Sequence, residues 1–336
     1  MVVSIVTPAF NASAFVERML DSVRDQTFVD WELVVVDDGS TDGTSRIVER
    51  FARGDRRVRL VRQANAGMAV ARNVGYGATD PASTFVAFLD ADDVWRPRCL
   101  ELLVGRLSDE PGAPAAHGRA GGIDRVGRPI PLEWFEGLGR NRMTCGGLFG
   151  LGVTAVGDHE MTSFDTLVVW NPIATPGQVL LRRAAFDAVG GFDPSAERAA
   201  DWDLWLRLAV CGPLAYVPEL VLDYRQHDTN ASKEAAGIRQ DERYVRFNAI
   251  ASPALTPAMR HLVRCGLRRA EAVRAKERLT LAVRAGRTGA GRRAALELGR
   301  AGASLLDIAG SFAPHGVVLQ RSGRARVGRG TVLRRS

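Results

Sequence analysis

Residues 86–95 read Val-Ala-Phe-Leu-Asp-Ala-Asp-Asp-Val-Trp, an apolar strand that runs straight into three carboxylates, Asp90, Asp92 and Asp93. Like charges this close repel, and each raises the pKa of its neighbours. A divalent cation among the oxygens relieves the repulsion. No thiolate or clustered imidazole adjoins the acids in sequence, so a hard ion of the Mg²⁺ or Mn²⁺ type fits them best. Magnesium keeps coordination positions free and shares them with substrate phosphates. The chemistry implied is the handling of a phosphorylated substrate through a metal. A solvated loop capping a helix would account for one of these aspartates, but poorly for three.

Two further polar clusters follow apolar strands. Thr7-Pro8-Ala9-Phe10-Asn11 closes a first strand over Val2–Val6, and Asp37-Asp38-Gly39-Ser40 closes a second over Glu32–Val36. Between them, residues 14–25 space Phe15, Met19, Leu20 and Val23 at helical intervals, with Ser13 as the expected N-cap. Ser40 or Thr41 is expected to cap a helix running through Phe51. A strand at Val58–Val61, an alanine-rich helix at 66–78 and a strand at Phe85–Leu89 complete the first hundred residues. Strand and helix alternating in this way make a doubly wound α/β unit. Ligands in such sheets bind beyond the carboxyl ends of the strands, where all three polar clusters fall.

Residues 108–170 carry many glycines and prolines and weak periodicity, so the pattern there is illegible; a long insert with acceptor contacts is one reading. Order returns with a strand at Val179–Leu181, a helix at Arg182–Val189 closed by Gly190-Gly191, and a helix at Ala200–Leu208 with an acidic first turn. Tyr216–Tyr224 reads as a strand ending in Tyr224-Arg225-Gln226-His227. Beyond about 240 the chain is rich in Ala and Arg and reads as helical, with breaks near 286–291 and Pro314.

Composition narrows the function classes. The 336 residues are 46% hydrophobic and 25% charged, the balance of a globular protein. No apolar run reaches the ~18–20 residues that span a bilayer. The first residues, Met-Val-Val-Ser-Ile-Val, read as a strand and not as a signal peptide. Cys99, Cys145, Cys211 and Cys265 are widely spaced and read as reduced, which implies a cytoplasmic setting. The net charge of +7 hides an asymmetry: residues 260–336 hold 18 Arg or Lys against four acids, while 1–259 hold 27 against 34. A basic end of this kind suits a solvated helical face or an anionic membrane surface at the inner face of the cell membrane. Nucleic acid ranks last, because no interleaved aromatic residues accompany the arginines.

The motifs together resemble those of the inverting family 2 glycosyltransferases of the GT-A fold. The resemblance rests on Ser4–Asn11, Ser22–Thr27, Glu32–Thr44, Asn65-Ala66-Gly67 through Ala71-Arg72-Asn73, and Asp90–Asp93. Downstream it includes Gly190-Gly191-Phe192-Asp193, Asp201-Trp202-Asp203-Leu204-Trp205 and Tyr224–His227. It implies a Rossmann-like mixed sheet flanked by helices, with an added C-terminal helical region. The expected organisation is a transferase domain at 1–235, with a nucleotide-sugar half at 1–110 and an acceptor half at 111–235. A helical region at 236–320 and a disordered basic tail at 321–336 follow.

The resemblance also implies roles. Pro8 and Phe10 line the base pocket, Asp38 accepts hydrogen bonds from base or ribose, and Arg72 approaches base or diphosphate. Asp90 and Asp92 form the D-x-D element of the metal site, with Asp92 the foremost direct ligand, and Asp93 lies next to the donor sugar. His227 completes the Mn²⁺ or Mg²⁺ site. Asp201 is the general base, although Ala200 stands where the family often has Glu. The partners implied are a nucleotide-diphosphate sugar, most simply a UDP-sugar, and a glycan, lipid-linked or small-molecule glycoside hydroxyl acceptor. The chemistry stands without the family name: a carboxylate activates a poor nucleophile, and a metal neutralises a poor leaving group. Alternatives are a nucleotidyltransferase of similar fold and a non-catalytic sugar- or lipid-binding scaffold. The first lacks its glycine-rich basic loop here, and retention of Asp38, Asp92 and Asp201 argues against the second. Absence of Gly-x-Gly-x-x-Gly after the first strand argues against a dinucleotide oxidoreductase.

Overall fold

The computed structural model describes residues 2–131, 143–145, 153–155, 157, 160–169, 171–230 and 235–284, with isolated positions up to 297. The chain divides into two compact units, Met1–Arg269 and Ala270–Ser336. The fold and candidate site lie in the first. In the second, the described residues are the end of one helix and a few positions beyond it, with an Arg278–Glu297 ion pair. The tail expected at 321–336 and the break expected at Pro314 lie outside the described residues.

The strands are β1 (Val3–Ala9), β2 (Trp31–Asp37), β3 (Val58–Arg62), β4 (Phe85–Phe88), β5 (Val94–Trp95) and β6 (Ala115–Ile123). They continue with β7 (Pro129–Ile130), β8 (Met143–Cys145), β9 (Val153–Ala155), β10 (Val179–Arg182) and β11 (Ala215–Arg225). The helices are α1 (Val16–Arg24), α2 (Thr44–Gly54), α3 (Met68–Gly77), α4 (Cys99–Asp109) and α5 (Phe164–Val169). After them come α6 (Arg183–Val189), α7 (Ala200–Cys211), α8 (Ala235–Ala251) and α9 (Pro257–Arg284). Strands β8 and β9 form a separate antiparallel pair.

The main sheet runs β3-β2-β1-β4-β10-β6-β11-β5, with β7 added beside β6. Its first four strands are parallel and β10 is antiparallel to both neighbours, so the sheet is mixed. Alternate residues of β1 bury on opposite faces. Val3 and Ile5 pack with Met19, Leu20 and Val35 on one side; Val6 packs with Phe88, Leu181 and Trp205 on the other. Burial on both faces explains why these strands read as continuous apolar runs. Helix α3 packs so closely on β1 and β2 that a Cβ at Gly75 would lie 2.4 Å from the Val6 side chain.

The structure departs from the expected elements at two caps and one strand. Phe15, not Ser13, precedes α1 and caps it with no side-chain bond. Helix α2 starts at Thr44 after Gly43, because Ser40 is used elsewhere: its hydroxyl accepts the Asn11 N–H at 2.9 Å. Strand β6 lies in the stretch whose pattern was illegible, yet it sits between β10 and β11 within the sheet. Its sequence, Ala-Ala-His-Gly-Arg-Ala-Gly-Gly-Ile, lacks the bulky β-branched residues that mark a strand. Small residues are required there: a Cβ at Gly118 would lie 2.5 and 2.7 Å from the two Val221 methyls.

Candidate active site

The carboxyl ends of β1, β2 and β4 carry the three polar clusters side by side, as parallel pairing requires. After β1 the chain turns at Asn11, whose φ of 49° is left-handed, a conformation asparagine tolerates. Asn11 then ties the first two loops together, its side-chain oxygen accepting the Thr41 N–H at 2.9 Å. Asp42 accepts the N–H groups of Thr44 and Ser13 at 2.9 and 3.1 Å. Against the penalty of its burial, the bonds from Thr44 and Ser13 lower its pKa to about 2. Pro8 is buried in this corner, and Phe10 beside it is 53% exposed. An aromatic face open to solvent at a strand end can take a stacked ring.

Asp38 is buried and organises the loop before α3. One of its oxygens accepts from the Gln63 side chain at 2.7 Å and the Ala66 N–H at 2.8 Å; the other accepts the Gly67 N–H at 3.0 Å. Three bonds use most of a carboxylate's acceptor capacity. Gly39 permits this approach: its φ is 82°, and a Cβ there would lie 3.0 Å from the Asn65 nitrogen. Pro8, Phe10 and Asp38 thus form one corner, with no hydrogen bond to the acidic cluster among the described residues.

The acidic turn after β4 is a connected network. Arg72 on α3 is buried and donates to Asp90 Oδ1 at 2.6 Å, its guanidinium 5.2 Å from the centroid of the Phe192 ring. The Thr175 hydroxyl lies 2.9 Å from Asp93 Oδ2 and 3.3 Å from Asp90 Oδ2. Asp93 is 1% exposed, and its other oxygen accepts the Arg225 N–H at 3.1 Å. Burial, and then the charges of Asp92 and Asp90, push the Asp93 pKa well above the carboxylate range. The bonds from Thr175 and from the end of β11 act against that rise. Asp92 keeps part of its surface open and lies 2.8 Å from His227 Nε2. His227 is fixed on its other sides by Thr229, 2.9 Å from Nδ1, and by the Phe15 ring stacked at 4.5 Å.

Asp201 opens α7 and joins the network electrostatically. Burial raises its pKa to about 6, opposed by the Arg72 charge and the Trp202 N–H and reinforced by Asp90. The Trp202 N–H donates to Oδ1 at 2.7 Å, which fixes the carboxylate. A base with a pKa near the working pH is suited to accept a proton from a hydroxyl. The segment carrying it is anchored by Asn73, whose amide donates to the Phe192 carbonyl at 2.8 Å and accepts the Phe192 N–H at 3.0 Å.

Among the described residues, no three His, Cys, Asp or Glu side chains gather as a complete ligand set for a metal. The donor chemistry that remains is a pair: Asp92, partly open, and the His227 imidazole, while Asp90 is engaged by Arg72 and Thr175. Two protein donors with an open side match a hard ion that takes its other ligands from phosphate and water.

Asp90, Asp92, Asp93, Arg72, His227 and Asp201 thus converge, with Pro8, Phe10 and Asp38 on the adjoining strand ends. Thr175, Phe15 and Arg225 also build the site, and the sequence reading assigned them no such part. Arg225 could have been noticed from its place two residues before His227. Phe15 had a helical spacing that pointed only to core, and Thr175 sits in a loop with no pattern. His117 lies 2.7 Å from the Thr162 hydroxyl.

A family model described as Glycosyl transferase family 2 matches residues 4–190. An uncharacterised glycosyltransferase of Nostoc sp. is 37% identical over 244 residues, 72% of this chain and 70% of its own. Chondroitin synthase of Escherichia coli is 26% identical over 247 residues, 73% of this chain but 32% of its own. Hyaluronan synthase of Pasteurella multocida is 25% identical over 248 residues, 73% of this chain and 22% of its own. The chain therefore spans a third or less of those two relatives. Among solved structures, Staphylococcus aureus TarS 1-349 in complex with UDP-GlcNAc shares the fold at a TM-score of 0.64 and 18% identity, covering 90% of this chain and 81% of that one. The Pyrobaculum calidifontis mannosyltransferase PcManGT, in complex with GDP-Man and Mn²⁺, does so at 0.59 and 20%, covering 91% and 77%.

Proposed function

The chain belongs to glycosyl transferase family 2, and from that membership we propose that it transfers a sugar, with inversion, from a nucleotide-diphosphate sugar to a hydroxyl acceptor. The observation that carries this reading is the position of Arg72, which pairs with Asp90 of the acidic turn while its charge acts on Asp201. That position joins a phosphate-handling cluster to a separate base.

In the proposed reaction the base and ribose occupy the Pro8, Phe10 and Asp38 corner, and the diphosphate lies at the acidic turn. Asp201 takes the proton of the acceptor hydroxyl as its oxygen attacks the anomeric carbon. The bond from that carbon to the diphosphate oxygen breaks, and the electron pair leaves with the nucleoside diphosphate. One base on the face opposite the leaving group gives a single displacement, hence inversion. Asp92 and His227 would hold a Mn²⁺ or Mg²⁺ ion, with Asp90 beside it. When bound, the ion supplies charge neutralisation for the diphosphate. Arg72 holds Asp90, and Asp93 lies beside the donor sugar.

UDP-GlcNAc and GDP-Man in the solved structures of similar fold make UDP- and GDP-sugars the first donors to test. The names of the chondroitin and hyaluronan synthases support a polysaccharide acceptor, and we extend the proposal to a lipid-linked one. No helix among the described residues is long and apolar enough to cross a membrane. We place the enzyme in the cytoplasm, with its basic C-terminal region touching the inner face of the membrane. The test is a panel of nucleotide sugars assayed for Mn²⁺-dependent hydrolysis and transfer. Release of nucleoside diphosphate from one donor supports the reading, and no release from any donor with either metal refutes it.

A further inference from the structure

Arg225 is a buried cation whose guanidinium makes no direct ion pair with a carboxylate among the described residues. It is 3% exposed, and its Nε donates to the Asp92 carbonyl at 2.8 Å. Its Nη1 donates to the carbonyls of Asp124 and Arg125, both at 3.2 Å. These bonds go to carbonyls, and the carboxylates of Asp93, Asp92 and Asp124 act on the guanidinium only through their charge. A buried cation bonded only to carbonyls keeps capacity for a further anion. Burial lowers the pKa of Arg225; the charges of Asp93, Asp92 and Asp124 act against that, and the like charge of Arg18 adds to it.

Two further cations sit around the same point. Arg125, at the exposed turn between β6 and β7, has its guanidinium 5.8 Å from the centroid of the Phe15 ring; Arg225 lies 5.5 Å from the same ring. Arg18 stands one turn into α1 from Phe15. Arg18 and Arg125 are exposed and form no ion pair among the described residues. The turn carrying Arg125 is not loose: Asp124 accepts the N–H groups of Val126 and Arg128 at 2.9 and 2.8 Å, and Arg225 grips its carbonyls. The other face of this cluster is His227, stacked on Phe15 and bonded to Asp92.

We propose that Arg18, Arg125 and Arg225 form a cationic cradle around Phe15 that holds the diphosphate of the donor and retains the nucleoside diphosphate after the sugar has left. This rests on the donor reading above. As the anomeric bond breaks, its electron pair passes to a diphosphate oxygen, and charge grows where these guanidinium groups stand. Cations placed in advance stabilise that growth. The cradle adjoins the Asp92–His227 pair and supplies charge whether or not an ion is bound there.

The experiment is calorimetric titration of UDP, GDP and uridine, each with and without Mn²⁺, into wild-type protein and the Arg18→Gln/Arg125→Gln variant. Both side chains are exposed, so the variant is expected to fold, which an unchanged melting temperature verifies. Arg225 is left in place. The variant should bind the preferred diphosphate roughly tenfold or more weakly, with a shallower salt dependence and unchanged uridine binding. Arg125→Lys should recover part of the loss. Equal affinity of wild type and variant for the diphosphate overturns the cradle alone. If wild-type protein binds neither diphosphate with or without Mn²⁺, the donor reading falls together with it.

Discussion

At Asp201 two demands oppose each other. A buried carboxylate is penalised when charged, and the proposed reaction needs it charged. With its pKa near 6, it is ionised at pH 7.5 and protonated below about pH 6. Transfer should therefore show an acid limb with a midpoint near pH 6, read from kcat/KM across pH 5–8. A flat profile through that range would exclude Asp201 as the base. Folding raises this pKa from 3.8, so the charged group destabilises the native state above about pH 6, and that cost disappears as pH falls below 4. Asp201→Asn removes the charge while keeping an oxygen for the Trp202 N–H. The variant should lose transfer by at least ~10²-fold. It should also gain about 1–3 kcal/mol of stability at pH 7.5, seen as a higher melting temperature. A variant that loses both activity and stability would point to a merely structural aspartate. The carboxylates themselves were legible, since Asp90, Asp92, Asp93 and Asp201 stand in patterned motifs. Their separate environments were not: burial and the neighbouring charges of Asp92 and Asp90 raise the Asp93 pKa, while Thr175 and the Arg225 N–H, more than eighty residues away in sequence, act against that rise.

Among the elements, the parallel half of the sheet was readable because β1, β2 and β4 are apolar on both faces and end in turn residues. Strand β6 was not, because its alanines and glycines meet a requirement visible only in three dimensions. Residues Ala215–Arg225 of β11 lie against it, and the Val221 methyls occupy the space that a side chain at 118 would need. Gly118→Val would force two β-branched side chains into one volume. We expect a loss of about 1–3 kcal/mol, measured as a lower denaturant midpoint with the slope unchanged. Gly118→Val with Val221→Ala should recover much of that loss, because the second change vacates the contested volume. A single variant as stable as wild type would show that β6 and β11 can separate at no cost. The caps of α1 and α2 were misread for a related reason: Ser40, a good cap by type, is drawn instead to Asn11 in the neighbouring loop.

For the molecule as a whole, the charge division is the largest feature the catalytic reading leaves unused. The acidic excess of residues 1–259 and the 18 Arg or Lys of 260–336 fall broadly along the division into two compact units at Arg269. An acidic body is repelled from an anionic bilayer, so any attraction must come from the C-terminal region. Each basic residue near such a surface contributes about 1 kcal/mol, screened over ~10 Å at 0.1 M salt. The full chain should therefore co-sediment with vesicles containing phosphatidylglycerol at low salt and be released by about 0.5 M NaCl. It should ignore vesicles of phosphatidylcholine alone. A chain ending at Arg284 keeps α9 and drops the later arginines; it should bind the anionic vesicles much more weakly and hydrolyse its donor at an unchanged rate. Equal binding by the two chains would move the contact into α9 or the acidic body, and binding that survives high salt would make it apolar.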